Sequence, residues 1–170
     1  MTEFVVHGPF PIPTYKQASG GRALYTGAFW ENLDGLQSRH GVYVFAIKPP
    51  RTKTYTPYYV GQATNTFKHE VFHASKLNKY QRALNDYKRG APAIFLLVHP
   101  RTKTNRKEIT ELEDFLIMMG FAANQDIQND QGAKLPGWSI KGVVRSTAKK
   151  ASAEAKLIAG MFKIKSRLGV

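Results

Sequence analysis

Two tyrosines, each beside a glycine in strand-prone sequence, are the residues of this chain best suited by type and spacing to do chemistry. Gly41-Val42-Tyr43 opens the run GVYVFAIK, and Tyr59-Val60-Gly61 closes the run TYTPYYVG, with the phenols sixteen positions apart. A phenol hydroxyl both donates and accepts hydrogen bonds, so two of them converging could act on one reacting centre. A third candidate is Glu113. On a helix its same-face neighbours are Ile109, Thr110, Leu116 and Ile117, three of them apolar, whereas Glu111 sits among Lys107, Glu108 and Asp114 on a solvated face. A carboxylate at the border of an apolar stripe is costly without a partner, either a structural ion-pair partner or a hard divalent cation. A fourth pattern competes with these. His69-Glu70-Val71-Phe72-His73 is a literal H-E-x-x-H, which on one helix presents two histidines to zinc and a glutamate to water. Catalytic zinc needs a third protein ligand, and the sequence offers no evident one.

The elements that must hold these residues follow from periodicity. Gly41 to Lys48 and Thr54 to Gly61 are β-branched and aromatic, and Pro49-Pro50 and the basic stretch after it separate them. They read as an antiparallel hairpin that lets Tyr43 approach Tyr59. Thr66 to His73 and Leu77 to Arg89 read as helices, the second with Leu77, Tyr80, Leu84 and Tyr87 at helical spacing and a stop at Gly90. Pro92 to His99 is a continuous apolar run suited to a buried central strand. Asn105 and Glu108 resemble a capping box opening a helix over Lys107 to Met119. A strand over Ser139 to Arg145 and a basic helix over about Ser152 to Lys163 complete the chain. Residues 1–40 carry turn signals at Gly8-Pro9, Pro11, Pro13 and Gly20-Gly21. They read as an extended lead-in with a short helix near Phe29 to Leu36.

With GVY, YVG, the Gln62-Ala63-Thr64-Asn65 connection and the glutamate helix in this order, the chain resembles the GIY-YIG nuclease superfamily from about Gly41 to about Asn129. The resemblance implies an α+β fold, with a small, mainly antiparallel central sheet of about three strands flanked by helices. The implied organisation is a lead-in over 1–40, the nuclease-like domain over 41–137, and a basic strand and helix over 138–170 packed on the same domain. It also implies phosphodiester cleavage with one Mg²⁺ or Mn²⁺ ion and no small-molecule cofactor. Tyr43 and Tyr59 take the tyrosine positions, one helping to activate water, and Glu113 takes the metal position. The family's helix arginine is missing here: Phe67-Lys68-His69-Glu70-Val71-Phe72 contains none. Lys68 or His69 stands nearest that slot, with Arg82 in the next helix more distant, and lysine lacks the bidentate guanidinium fork. Asn124 and Asn129 both lie where the family has a supporting asparagine.

Charge points to a partner of the same class. The chain has 170 residues and a formal net charge of +13, a field that attracts polyanions and releases their counterions on binding. From Trp138 onward, Lys141, Arg145, Lys149, Lys150, Lys156, Lys163, Lys165 and Arg167 face a single acid, Glu154. The first five of these are the candidate nucleic-acid contacts, with DNA ahead of RNA as partner. Without any cysteine, disulfides and thiolate metal sites are excluded. The longest apolar run, Ala93 to Val98, is far below membrane-spanning length. Glu3 and the prolines at 9, 11 and 13 do not read as a signal peptide, so the expectation is a cytoplasmic protein. Three readings stand: a nuclease with an atypical site, a non-catalytic nucleic-acid binder on the same fold, and a zinc protease using His69 and His73.

Overall fold

A computed structural model of the protein describes residues 2–87, 89–101, 106–124, 126–129 and 150–161. Its centre is strand β4, Gly41–Lys48, which pairs antiparallel on one side with β5, Thr56–Ala63, and on the other with β6, Ala91–Val98. A strand paired on both edges and covered on both faces has to be apolar, and GVYVFAI meets that condition up to the half-buried Lys48 at its end. The alternation of side chains sorts its residues. Tyr43, Phe45 and Ile47 enter one core with Tyr59, Phe67, Tyr80, Ile94 and Leu96. Val42 enters a second core with Val60, Ile109 and Ile117.

The sheet has four strands in the order β1-β6-β4-β5, not three, because the N-terminal stretch contributes β1, Val5–Pro11, antiparallel to β6. The sequence hides this strand behind Gly8, Pro9 and Pro11. Proline is tolerated there because β1 is an edge strand whose register shifts between His7 and Phe10. Two further short strands, β2 over Thr14–Lys16 and β3 over Arg22–Leu24, form a separate two-stranded sheet. The helix expected near Phe29 to Leu36 is instead a series of turns ending in a 3-10 turn at Leu36–Ser38. The overall result is a mixed fold of antiparallel sheets flanked by helices.

Four helices complete the described residues: α1, Phe67–Glu70; α2, Ala74–Asp86; α3, Arg106–Ala123; and α4, Ala153–Met161. Tyr80 and Ala83 of α2 belong to the Tyr43 core, and Ile109 and Ile117 of α3 to the Val42 core, so these helices cover opposite faces of the sheet. The start of α3 is pinned to the end of β6. The buried His99 ring meets Glu108 at 2.9 Å through Nε2, and Thr2 donates to the same carboxylate at 2.7 Å. These bonds hold the Glu108 carboxyl below its ordinary range, the His99 bond most of all. Among the described residues no helix is long and apolar enough to cross a membrane. The strand over Ser139 to Arg145, the Asn105 cap, and Lys141, Arg145 and Lys149 lie outside the described residues.

Strand β5 is the other edge of the sheet, and Asn124 with residues 126–129 covers it. Asn124 donates to the Pro57 carbonyl at 2.8 Å, and the Gln128 amide to the Tyr58 carbonyl at 2.6 Å. Asn129 closes a two-way pair with one residue. Its Oδ1 accepts from the Val60 amide at 2.9 Å, and its Nδ2 donates to the Val60 carbonyl at 2.6 Å. Asn124 and Asn129 therefore both brace β5. A carboxamide doing the work of a neighbouring strand leaves no room for an isostere. Asn129→Leu strands a buried donor and acceptor, so it should lower the unfolding free energy by about 1–3 kcal/mol in urea titrations. Asn129→Asp should not restore it, because a carboxylate cannot donate to the Val60 carbonyl; full stability in either variant would contradict this account of the edge.

Candidate active site

The hairpin register determines what its tyrosines can do. Tyr43 lies opposite Gly61 and Phe45 opposite Tyr59, so Tyr43 and Tyr59 are diagonal neighbours on one face, with ring centroids 6.1 Å apart. The Tyr43 ring occupies the space where a side chain at Gly61 would stand, since a Cβ there would collide with its Cζ and hydroxyl. Glycine in YVG is thus required by packing. Beneath both rings, Tyr80 stacks on Phe45 at 4.3 Å and donates its hydroxyl to the Val71 carbonyl at 2.7 Å.

Tyr43 is fully buried, and its hydroxyl has no hydrogen-bond partner in good geometry, although the Tyr80 hydroxyl is a neighbour. Burial pushes its acidity far down, with the pKa well above the usual phenol range. Repulsion from the neighbouring acidic groups of Tyr59, Glu70 and Glu113 adds to the effect. Tyr43 is therefore a proton-bearing phenol sealed in the core, while Tyr59, itself only 4% exposed, is the tyrosine that lines the cleft.

Tyr59 opens into a cleft of about 710 Å³ at the covered edge of β5, between α2 and α3. Its lining brings Tyr59 together with Glu113, and adds Gln62, Thr64, Glu70, Thr110, Asp114, Asn129 and the cations Lys76, Lys79 and Arg106. The two lysines reach over the Tyr59 ring, with Nζ at 5.5 Å and 5.2 Å from its centroid, within cation–π range. Glu113 is half-buried and accepts a bond from the Gln62 amide. Desolvation nonetheless dominates, and with Asp114 beside it the carboxyl is raised to about 7, against the lowering effects of that bond and of Lys76. Thr110 donates to the Gln62 side chain at 3.2 Å, tying α3 to β5 across the cleft floor.

The other sequence candidates lie elsewhere. Lys68 is exposed and does not line the cleft. His69 is also exposed and touches the cleft only through Glu70, which it meets at 3.1 Å. Arg82 is exposed on α2, and Lys150 and Lys156 are exposed near and within α4. The cations that do face Tyr59 were open to helical periodicity: Lys76 and Lys79 stand at i and i+3 on α2. Arg106, Thr110 and Glu113 stand at i, i+4 and i+7 on α3, so an arginine is present in the cleft, supplied by the glutamate helix.

The H-E-x-x-H geometry is absent. Helix α1, capped by the Thr66 hydroxyl, ends at Glu70, and His73 begins the next helix with its Nδ1 3.1 Å from the Ser75 hydroxyl. The two histidines therefore do not share a helical face. Among the described residues, no group of three or more His, Asp or Glu side chains is gathered to hold a metal ion. No family model, curated protein or solved structure matches the chain. The functional reading accordingly rests on the cleft itself.

The Glu113 shift has a consequence for stability whatever the protein does. Unfolded, the carboxyl ionises near 4.5; folded, it does so near 7. The native state holds this proton more tightly, so protonation contributes stability below pH 4.5, and that contribution is lost as pH rises through about 7. Glu113→Gln, neutral throughout, should melt at a higher temperature than wild type above pH 7 in chelator, and the difference should vanish below pH 4.5. A pH-independent difference would mean that the Glu113 carboxylate is not desolvated.

Proposed function

We propose that the protein is a metal-dependent nuclease of the GIY-YIG type, cleaving phosphodiester bonds in DNA or RNA. The observation that carries this reading is the single cleft in which Tyr59, the half-buried Glu113 and the cations Lys76, Lys79 and Arg106 meet. The element order supports it too: hairpin, helices, strand, then glutamate helix, as the resemblance implies. The net charge of +13 suits a polyanionic substrate.

Besides Glu113, the cleft lining offers oxygens from Tyr59, Gln62, Thr64, Glu70, Thr110 and Asp114, although no three carboxylates or imidazoles among the described residues gather round one point. That set suits a hard cation such as Mg²⁺ or Mn²⁺, held through one or two carboxylates with water completing the shell. Bound there, the cation would polarise the phosphoryl group and stabilise the leaving oxygen. The chain's own groups have distinct tasks. Tyr59 orients the attacking water through its hydroxyl. Glu70, the carboxylate that His69 holds in place, accepts the water's proton. Lys76, Lys79 and the bidentate guanidinium of Arg106 stabilise the charge that grows on the phosphate oxygens. Tyr43 packs beneath Tyr59 and keeps its proton.

The runner-up is a nucleic-acid-binding protein without catalysis. The burial of Tyr43 favours it, because a sealed phenol cannot share the activation of water with Tyr59. One set of assays separates the two. With Mg²⁺ or Mn²⁺, wild type should nick or cut DNA or RNA; Glu113→Gln should lose about 100-fold or more of this rate, and Tyr59→Phe about 100-fold, with binding retained. Glu70→Gln should be similarly impaired, and His69→Ala only mildly, since it acts through Glu70. Binding should weaken steeply with salt in every variant. A wild-type protein that binds but cuts no DNA or RNA substrate would leave the binding module as the answer.

A further inference from the structure

Helix α2 connects the cleft to a second hollow. Lys76 and Lys79 line the cleft near its beginning, and Asp86 at its end lines a hollow of about 610 Å³ together with Pro50, Arg51, Tyr87 and Arg89. At 1.5 Å per residue, Lys76 and Asp86 are about 15 Å apart along the axis. Lys79, Arg82 and Asp86 fall at i, i+3 and i+7, one stripe from the cleft to the hollow, and Arg82 is exposed along it.

The hollow has features of a site that binds an anion. Arg51, in the β4–β5 connection, has φ +63°, a conformation that non-glycine residues adopt uncommonly. Arg89 approaches from the α2–β6 connection. Behind them Arg22 donates to the Tyr87 carbonyl at 3.3 Å, while its Nε is buried with no hydrogen-bond partner. Two exposed guanidiniums therefore line the hollow, and a third braces Tyr87 from behind.

We propose that a nucleic acid engaged in the Tyr59–Glu113 cleft continues along α2 into this hollow, where Arg51 and Arg89 bind a backbone phosphate. The inference rests on the nucleic-acid reading of the cleft. At 3.4 Å per base step, about 15 Å places the contact roughly four steps from a phosphate held beside Lys76 in the cleft. The hollow thus extends the footprint to one side of the cut. Asp86 opposes the contact and limits its strength.

The test compares a duplex long enough to reach both hollows with a short one that reaches only the cleft. Binding to the full-length protein is followed by fluorescence anisotropy across a salt series, with and without Mg²⁺. The variant is Arg51→Gly combined with Arg89→Gln, because glycine accepts the positive φ at 51 and the fold is preserved. It should bind the long duplex several-fold more weakly, with the slope of log affinity against log salt reduced by about one, and bind the short duplex as wild type does. Asp86→Asn should tighten the long duplex alone. Equal losses on both duplexes, or no loss on either, would overturn the proposal while leaving the cleft reading intact. So would saturation of the hollow by inorganic phosphate with no dependence on duplex length, which would assign it to a free anion. If wild type binds neither duplex, the cleft reading itself fails and this proposal falls with it.

Discussion

The seating of the Tyr43 ring over Gly61 is the contact on which the rest of the site depends. It is possible only in the register that sets Tyr43 against Gly61 and Phe45 against Tyr59. A slip of one residue would send every side chain of β5 to the opposite face. The tyrosine pair would then be split, with Tyr59 under α3 and Val60 among the aromatic rings. Any side chain in place of Gly61 would displace the ring directly. The glycine and the tyrosine act as one packing unit, and the hairpin register is what joins them.

From that register the position of the cleft follows. Alternation gives the aromatic face to α2 and the aliphatic face to α3. Because β5 is an edge strand, the two helices can approach around it, and residues from both faces meet there. Tyr59 comes from one face, Gln62 and Glu113 from the other. An exposed edge would ordinarily invite further strand pairing; here Asn124 and residues 126–129 occupy it, and Asn129 does so while lining the cleft. The same asparagine therefore secures the fold and shapes the site.

How much of this was legible in the sequence varies with the physical origin of each feature. Strands β4, β5 and β6 and helix α3 were readable because a single periodicity or apolar run dominates each. Strand β1 was not, because its prolines and Gly8 are turn signals in isolation and become acceptable only at an edge that nothing local specifies. The reading of one helix from Thr66 to His73 missed a break: the turn at Val71 and Phe72 follows from Tyr80 taking the Val71 carbonyl, a contact made across nine residues. Glu113 was visible as a polar residue on an apolar stripe. Lys76, Lys79 and Arg106 lie away from the slot where the resemblance implies an arginine, on the helical faces of α2 and α3 that lead to Tyr59 and Glu113. The hollow at the far end of α2 joins Arg51 to Arg89 through a tertiary turn, so no linear pattern marks it.

The balance of charge in the cleft carries the last step. Lys76, Lys79 and Arg106 face Glu70, Asp114 and Glu113 across one space, so the cleft lacks the excess of positive charge that the whole chain has. A phosphate entering with all three carboxylates ionised meets nearly as much repulsion as attraction. Glu113 eases this in part, because desolvation keeps it half-protonated near pH 7. A divalent cation bound there, as proposed, would ease it fully: it would favour the carboxylate, offset the desolvation cost and turn the local field positive. The chain's net charge of +13 works differently, since its field favours a polyanion with or without a metal. An arrangement of this kind separates capture from chemistry. Under the proposed nuclease reading, the remote lysines and arginines would gather nucleic acid at all times, while the cleft would accept a phosphate fully only with a cation in place.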